Sequence, residues 1–207
     1  MLTKKEIRWL VLTGVILAGL LYYLQDQSLT IRVISSFVFL LGFVLGDRYF
    51  EIGYRKRHHG YMIIIIVAGI ILSPLYSFYL NYDKVLHFVF PILVSSLVFY
   101  ILNQTKLTLR SKLALTFLTV LGILAIFEIV EYLLDLFFEL KLQGVFVRSA
   151  SGLDKFDIIQ DPLSDTMTDL ILGMIGSGSY VITNFILTRF GKDIEKGLKP
   201  LSKPRAS

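Results

Sequence analysis

Residues 113–138 read LALTFLTVLGILAIFEIVEYLLDLFF, a stretch whose first half is apolar and whose second half carries acidic residues among apolar ones. An apolar stretch of about 17–25 residues is long enough to cross a bilayer as a helix. The acidic residues are spaced three and four apart, which places them along one face of such a helix: Glu128, Glu131 and Asp135. The stretch therefore predicts a transmembrane helix with a carboxylate stripe in its second half.

Five further apolar stretches have comparable length, and the composition of the chain agrees with them. Hydrophobic residues make up 55% of the 207 residues and the mean hydropathy is +0.68, whereas soluble domains are about 45–50% apolar. The sequence therefore predicts a single all-α domain, a polytopic membrane protein with a bundle of about six transmembrane helices. The predicted spans cover residues 8–24, 31–46, 61–80, 85–103, 113–138 and 166–189.

The positive charges are distributed unevenly between the segments that join these spans. The chain has a formal net charge of +5 and contains 21 Lys and Arg. With a cytoplasmic N-terminus, sixteen of these residues fall in the inner segments and five in the outer segments. This positive-inside pattern predicts a multi-pass protein of the cytoplasmic (inner) membrane with both termini in the cytoplasm. We expect membrane lipids as partners of the basic residues and no nucleic acid.

Two local sequence patterns, the first span and the segment with two adjacent histidines, each allow a special and an ordinary interpretation, and we adopt the ordinary one. The first span follows Lys4 and Lys5, as the core of a signal peptide would, but YYLQDQ follows it instead of a small-residue cleavage site. We therefore expect a retained first helix. The segment YRKRHHG contains the adjacent histidines His58 and His59, and we interpret it as a solvated basic turn against lipid headgroups.

Two other spans carry ionisable residues near the predicted outer end of the bundle. In NYDKVLHF, residues 81–88, Asp83 and His87 are four apart and share a helix face, with Lys84 beside them. In DPLSDTMTDLILGMIGS, residues 161–177, three aspartates are also spaced by four. Asp161 before Pro162 is typical of a helix N-cap, whereas Asp165 and Asp169 enter the span, where a bare charge is costly.

The converging carboxylates predict a cation site or a set of shared protons. An oxygen-rich site with one imidazole suits Mg²⁺, Mn²⁺, Ca²⁺ or Zn²⁺, and raised carboxyl pKa values are the competing solution. The predicted metal ligands are Glu128, Glu131, Asp165, Asp169 and His87. His87 or Glu131 is the predicted general base, and the predicted substrate-binding residues are Asp83, Lys84, Arg148 and Lys155. The loop 141–160 is either a lid over this cluster or an ordinary connector.

Three segments together resemble the YjdF-like family of inner-membrane proteins, which is similar in pattern to the VanZ-like proteins. They are YDKVLHF at 82–88, FEIVEY at 127–132 and QDPLSDTMTDLILGMIGS at 160–177. The first two spans match the family only in hydropathy.

The third segment departs from the family pattern at two positions. The family usually has Gln-Gly-Asp and then Trp-Asp-Thr, whereas here Asp161 follows Gln160 directly and Ser164 replaces the tryptophan. Asp165 and Asp169 match. The resemblance implies a shared polar set without naming a reaction, and the VanZ-like proteins point to chemistry of the cell envelope. The set is Asp83, His87, Glu128, Glu131, Asp165 and Asp169.

These features favour a metal-dependent hydrolase or transferase that acts on a lipid or lipid-linked envelope substrate. A cation- or proton-coupled permease is the first alternative, and it would require polar residues that continue to the cytoplasmic side. A non-catalytic envelope or assembly factor is the second, with the polar cluster serving only to fix helix packing. The absence of cysteine excludes disulfides and thiolate ligands.

Overall fold

The computed structural model describes residues 27–72, 75–139, 142–148 and 155–190. Most of these residues are helical. In chain order the helices are α1 (Gln27–Tyr49), α2 (Lys56–Ile66), α3 (Leu75–Phe78), α4 (Tyr82–Asn103), α5 (Leu109–Phe138) and α6 (Pro162–Arg189), with a π-helix (Val67–Ile71) after α2. Two strands, β1 (Val145–Arg148) and β2 (Lys155–Gln160), lie between α5 and α6.

Within the described ranges, three helices are long and apolar enough to cross a membrane, namely α4, α5 and α6. They contain the predicted spans 85–103, 113–138 and 166–189 and begin three or four residues before each of them. The earlier starts have local causes at α5 and α6. Thr108 accepts a hydrogen bond from the backbone N–H of Ser111 at 3.2 Å, and Asp161 accepts one from Ser164 at 3.0 Å, so each caps its helix.

The cap of α6 confirms the predicted role of Asp161, which precedes Pro162 at the first helical position. Its hydrogen bonds with Ser164 hold the pKa of the Asp161 carboxyl below its usual value. At the end of α5, Glu139 adopts a left-handed conformation with φ of 52° and thereby ends the helix.

The three long helices form one bundle in which α4 and α6 run in the same direction and α5 runs in the opposite one. Near the middle, the hydroxyls of Ser95 and Ser177 lie 2.9 Å apart, both buried, and join α4 to α6. Gly176 allows this approach, because a Cβ at that position would clash with the carbonyl oxygen of Phe88. The same face of α6 meets α5 at Gly173, where a Cβ would clash with Leu124.

The first half of the chain differs from the predicted pattern of spans. Span 31–46 lies inside α1, and span 8–24 lies outside the described residues. The predicted span 61–80 is not one helix, because α2 ends at Ile66 and the π-helix ends at Ile71. The glycine and proline in this stretch, Gly69 and Pro74, are both unfavourable in a continuous helix. In the π-helix, the carbonyl of Ala68 accepts a hydrogen bond from the Tyr82 hydroxyl at 2.8 Å.

The predicted all-α class is correct for the bundle and incomplete for the connector between α5 and α6. Strands β1 and β2 form an antiparallel hairpin in which Val145 is the Cα partner of Gln160 and Arg148 that of Lys155. The base of the hairpin adjoins the start of α6. The predicted loop 141–160 therefore contains secondary structure of its own, which alternating apolar residues such as those of KFDIIQ favour.

Candidate functional site

The centre of the candidate site is the Lys84 ammonium, which links the first turns of α4 and α6. Its Nζ donates hydrogen bonds to Asp165 Oδ1 and, at 3.0 Å, to Asp169 Oδ1. The second oxygen of Asp169 lies 3.3 Å away. The Lys84 side chain is 14% exposed and both aspartates are buried. Lys84 therefore neutralises part of the carboxylate charge that made this end of the bundle costly to bury.

His87 lies one turn deeper on α4, between two carboxylates from different helices. Its Nε2 lies 3.7 Å from Asp83 Oδ1 and its Nδ1 lies 3.7 Å from Glu128 Oε1 on α5. Both distances exceed those of a hydrogen bond. The residue is only 9% exposed, so this buried imidazole lies at ion-pair distance from one acidic oxygen at each of its nitrogens.

Three of these side chains lie close enough together to bind one cation. Asp83, His87 and Asp169 each offer one ligand atom, and these atoms lie within 4.8 Å of one another. Two atoms bound to a metal at about 2.1 Å lie at most about 4.2 Å apart, so a small side-chain rotation would bring all three into range. Asp83 was predicted as a substrate-binding residue, and the structure places it beside the two predicted ligands His87 and Asp169.

Of the other predicted ligands, Glu128 and Asp165 lie beside this group without belonging to it. Glu128 is buried at 5% exposure, and its Oε1 faces His87 from α5. Asp165 is held by Lys84 on one oxygen and by the backbone N–H of Gly144 on the other, at 2.7 Å. Glu131, the second predicted general base, is half-buried on α5, one turn closer to the end of the bundle.

The segment between α5 and β1 is fastened to the site through backbone hydrogen bonds. Asp135 accepts hydrogen bonds from the backbone N–H groups of Leu142 at 2.6 Å and Gln143 at 2.8 Å. The Gln143 side chain donates to Thr166 Oγ1 at 2.9 Å. The start of the loop is thus tied to α5 and α6 at the level of the cluster. Sequence reasoning missed Gln143 and Gly144, although a polar residue before a glycine just after a helix is a recognisable turn signal.

Arg148 and Lys155, the predicted cationic substrate contacts, lie in the hairpin and are Cα partners. They stand at the end of the strands away from Gly144, the residue that contacts Asp165. Along the strands, Arg148 and Lys155 are therefore separated by several residues from the end of the hairpin that contacts the carboxylate cluster. Lys84 was also predicted to bind substrate, but the structure gives its ammonium two carboxylate partners of its own.

A second cluster lies at the opposite end of the bundle, where His58 packs between aromatic rings. Its ring centroid lies 4.4 Å from that of Tyr100 and 5.4 Å from that of Tyr54. His58 is fully buried, so its predicted place in a solvated turn is wrong. Its Nδ1 accepts the backbone N–H of Arg55 at 3.2 Å, which caps α2.

Burial is the largest cause of the pKa shifts in this second cluster. It lowers the pKa of His58 to about 4, with the neighbouring Arg57 and Arg55 acting in the same direction. Burial likewise raises the pKa of the Tyr54 phenol to about 12, assisted by Asp47. Both side chains are therefore neutral near pH 7, and the cluster packs as an uncharged aromatic layer.

Comparison with known proteins identifies a family over most of the chain. A family model described as "Predicted membrane protein (DUF2238)" matches residues 7–189. No curated protein and no solved structure matches. The matched range includes α4, α5 and α6 and hence every residue of the candidate site.

Proposed function

This chain belongs to the DUF2238 family of predicted membrane proteins, and we propose that it binds a divalent cation in the membrane and uses it in hydrolysis or group transfer on a lipid-linked substrate. The observation that carries the proposal is the grouping of Asp83, His87 and Asp169, whose ligand atoms lie within 4.8 Å of one another. An imidazole and two carboxylates that converge in this way are typical metal ligands. A cation at Asp83, His87 and Asp169 would satisfy one nitrogen and compensate the neighbouring carboxylates.

The charge of the cluster supports a divalent cation. Four carboxylates, those of Asp83, Glu128, Asp165 and Asp169, lie around His87 and the Lys84 ammonium. If all four are ionised, the formal charge of this set is −3, which is costly within a membrane protein. One divalent cation would reduce it to −1. Two aspartates and one histidine suit Mn²⁺ or Zn²⁺ better than Ca²⁺, which prefers oxygen ligands alone.

The residues around this position have the chemistry for acid–base catalysis. A bound divalent cation would act as a Lewis acid and lower the pKa of a water molecule. Glu128 is 3.7 Å from the remaining ring nitrogen of His87, and a small rotation that brought the two into hydrogen-bond contact would let it orient the imidazole and accept a proton released at the site. Glu131 remains the second proposed base.

The location of the site favours a lipid or lipid-linked substrate over a soluble one. Asp83 is 24% exposed at its side chain, and it lies in the first turn of a membrane-spanning helix. Phe127, whose ring centroid lies 6.0 Å from that of His87, is 47% exposed on the apolar surface of α5. A headgroup at the membrane surface would therefore reach the cluster while its acyl chains contact this surface. Arg148 and Lys155 remain proposed contacts for the phosphate of such a substrate, at the end of the hairpin away from Gly144.

The proposal includes the cytoplasmic membrane as the location, with six spans and both termini inside. The helix directions agree with the charge pattern, because the ends of α4 and α6 and the start of α5 lie together. Basic residues flank these positions at Lys106, Arg110, Lys112 and Arg189. The opposite end carries the acidic cluster. The resemblance to the YjdF-like and VanZ-like proteins supports a role in the cell envelope.

The packing below the cluster favours a one-sided site over a permease pathway. Leu124 fills the space against Gly173, and the backbone of Phe88 closes on Gly176. The next polar side chains along α4 and α6, Ser95 and Ser177, hydrogen-bond each other. A cation that reached Asp169 would therefore meet a packed apolar layer on the inner side.

The test is a titration of detergent-purified full-length protein with Mn²⁺, followed by thermal unfolding. We expect saturable stabilisation of the wild type, about 2.7 kcal/mol at a cation concentration 100 times the Kd. His87→Ala should abolish it, and His59→Ala, which removes an exposed histidine, should not. Mn²⁺-dependent phosphate release from vesicles containing phosphatidic acid or a polyprenyl phosphate then tests the reaction. Equal responses of wild type and His87→Ala would overturn the proposal.

A further inference from the structure

Lys84 occupies a position in the cluster that a metal ion could take. Its ammonium is held by Asp165 and by both oxygens of Asp169, and it lies 3.8 Å from Asp83 Oδ2. Thus Asp83 and Asp169, two members of the candidate ligand group, also face Lys84. Carboxylates shared between two neighbouring positive charges are the arrangement of two-metal sites.

We propose that Lys84 is a tethered cation that fills the second of two cation positions in this cluster, and that removing its charge creates a second divalent-cation site. The ligands of that second site are Asp165 and Asp169, with Asp83 on its edge. The inference rests on the proposed function for the first position, which is defined by Asp83, His87 and Asp169.

The formal charges distinguish this role from an ordinary ion pair. With Lys84 present, four carboxylates and one divalent cation leave a formal charge of −1, which gives little attraction for another divalent cation. Without the ammonium, the same set with one divalent cation has a formal charge of −2, which a second divalent cation would neutralise. Unneutralised carboxylates that are buried at the end of a membrane helix bundle repel one another, so the loss of the ammonium favours the binding of a second cation.

The buried imidazole of His87 marks the first cation position and separates it from the position of the Lys84 ammonium. His87 is 9% exposed and aims its nitrogens at Asp83 and Glu128 from 3.7 Å. It lies on the side of Asp83 away from the Lys84 contact, because Asp83 presents Oδ1 to His87 and Oδ2 to Lys84. The two oxygens of the Asp83 carboxylate therefore face the two proposed cation positions. The Lys84 ammonium fills the second of these positions.

The experiment counts Mn²⁺ bound per chain in wild type, Lys84→Met and Lys84→Arg after equilibrium dialysis of the full-length protein. Lys84→Met keeps an apolar stem of similar length and removes the charge, whereas Lys84→Arg keeps a cation at the site. We expect one Mn²⁺ in the wild type, two in Lys84→Met and one in Lys84→Arg. Unfolding temperature is measured in parallel with and without Mn²⁺, at matched ionic strength in NaCl.

The outcomes separate this inference from the proposed function. One Mn²⁺ in both wild type and Lys84→Met would overturn the inference and leave the first site standing. None in the wild type and one in Lys84→Met would overturn the first site and support the role of Lys84 as a tethered cation. None in either protein would overturn both. If Lys84→Met folds only with Mn²⁺ in the buffer, this rescue supports the inference, and failure to fold at any Mn²⁺ concentration overturns it.

Discussion

The Lys84 ammonium lies 3.0 Å from Asp169 Oδ1, and this contact joins residues 85 positions apart in the chain. It fixes the first turn of α4 against the first turns of α6 and brings the remaining acidic side chains to one end of the bundle. The ion pair is buried, so each charge depends on the other for its solvation. The folded arrangement of the candidate site therefore depends on this contact.

The losses of stability on removing either partner of this ion pair should not be additive. We expect Asp169→Asn and Lys84→Met each to lower the free energy of unfolding by about 3–5 kcal/mol, measured in metal-free buffer. The double variant should lose less than the sum of the two, because the contact between Lys84 and Asp169 is then lost only once, while Asp165 loses its ammonium partner as it does in Lys84→Met. Unfolding in detergent with increasing denaturant measures all three. Additive losses would show that the contact contributes no coupling energy.

The close approach of α4 and α6 should be sensitive to a single methyl group. Gly176→Ala would place a Cβ against the backbone carbonyl of Phe88, which cannot rotate away. We expect a loss of about 1–3 kcal/mol, as for other overpacked interiors. Gly122→Ala on α5 is the matched control, since a Cβ there meets no atom within 4 Å. Its stability should be unchanged or raised by up to about 1 kcal/mol.

The buried histidine at the other end of the bundle should make stability depend on pH. The pKa of His58 is about 4 in the folded protein and about 6.5 when unfolded. Between these values the unfolded chain binds the additional proton, so stability falls as the pH is lowered from about 6.5 towards 4. The slope from this group is at most about 1.4 kcal/mol per pH unit.

His58→Gln isolates this contribution from that of the carboxylates. The variant removes the titrating group, so its stability should change less than that of the wild type between pH 6.5 and pH 4.5. Arg55, Arg57, His59, Tyr54 and Tyr100 face the ring and remain in both proteins. Parallel pH profiles for the two proteins would contradict the assignment. Unfolding temperatures measured across this range are sufficient.

The carboxylate of Asp135 should control the order of the segment that follows α5. It accepts the backbone N–H groups of Leu142 and Gln143, and an amide in its place would accept fewer hydrogen bonds. We expect Asp135→Asn to increase hydrogen exchange at residues 142–148 by about tenfold, which corresponds to about 1.4 kcal/mol. Glu139→Gln, which changes an exposed carboxylate at the helix end, should not. Equal exchange in the two variants would contradict this anchoring role.

The sequence predicted the bundle and the faces of its helices, because helical periodicity acts within each segment. Spacing and the cost of charge in a membrane predict which ionisable residues lie on buried faces, namely His87, Glu128, Asp165 and Asp169. The contact between Lys84 and Asp165 could not be predicted in this way. Helical periodicity determines which side chains share a face. Which faces meet is determined only by the packing of α4 against α6.

The local departures from regular helix also had weak signals in the sequence. The stretch 61–80 is apolar enough to read as one span, although hydropathy does not report hydrogen-bond register and so cannot distinguish an α-helix from a π-helix. The hairpin after α5 was hidden by the lack of a two-residue turn signal between its strands. His58 was predicted to be solvated because its neighbours are basic, but Tyr54 and Tyr100 enclose it from another helix and a loop.

The central claim is that Asp83, His87 and Asp169 bind a divalent cation, and elemental analysis of the purified protein tests it most directly. The wild type and Glu139→Gln should each contain close to one bound divalent metal per chain after dialysis against metal-free buffer. Asp83→Asn should bind at least about tenfold more weakly, as for the loss of other groups around a metal, and so retain little. Equal metal content in wild type and Asp83→Asn, or none in any of the proteins, would contradict the claim.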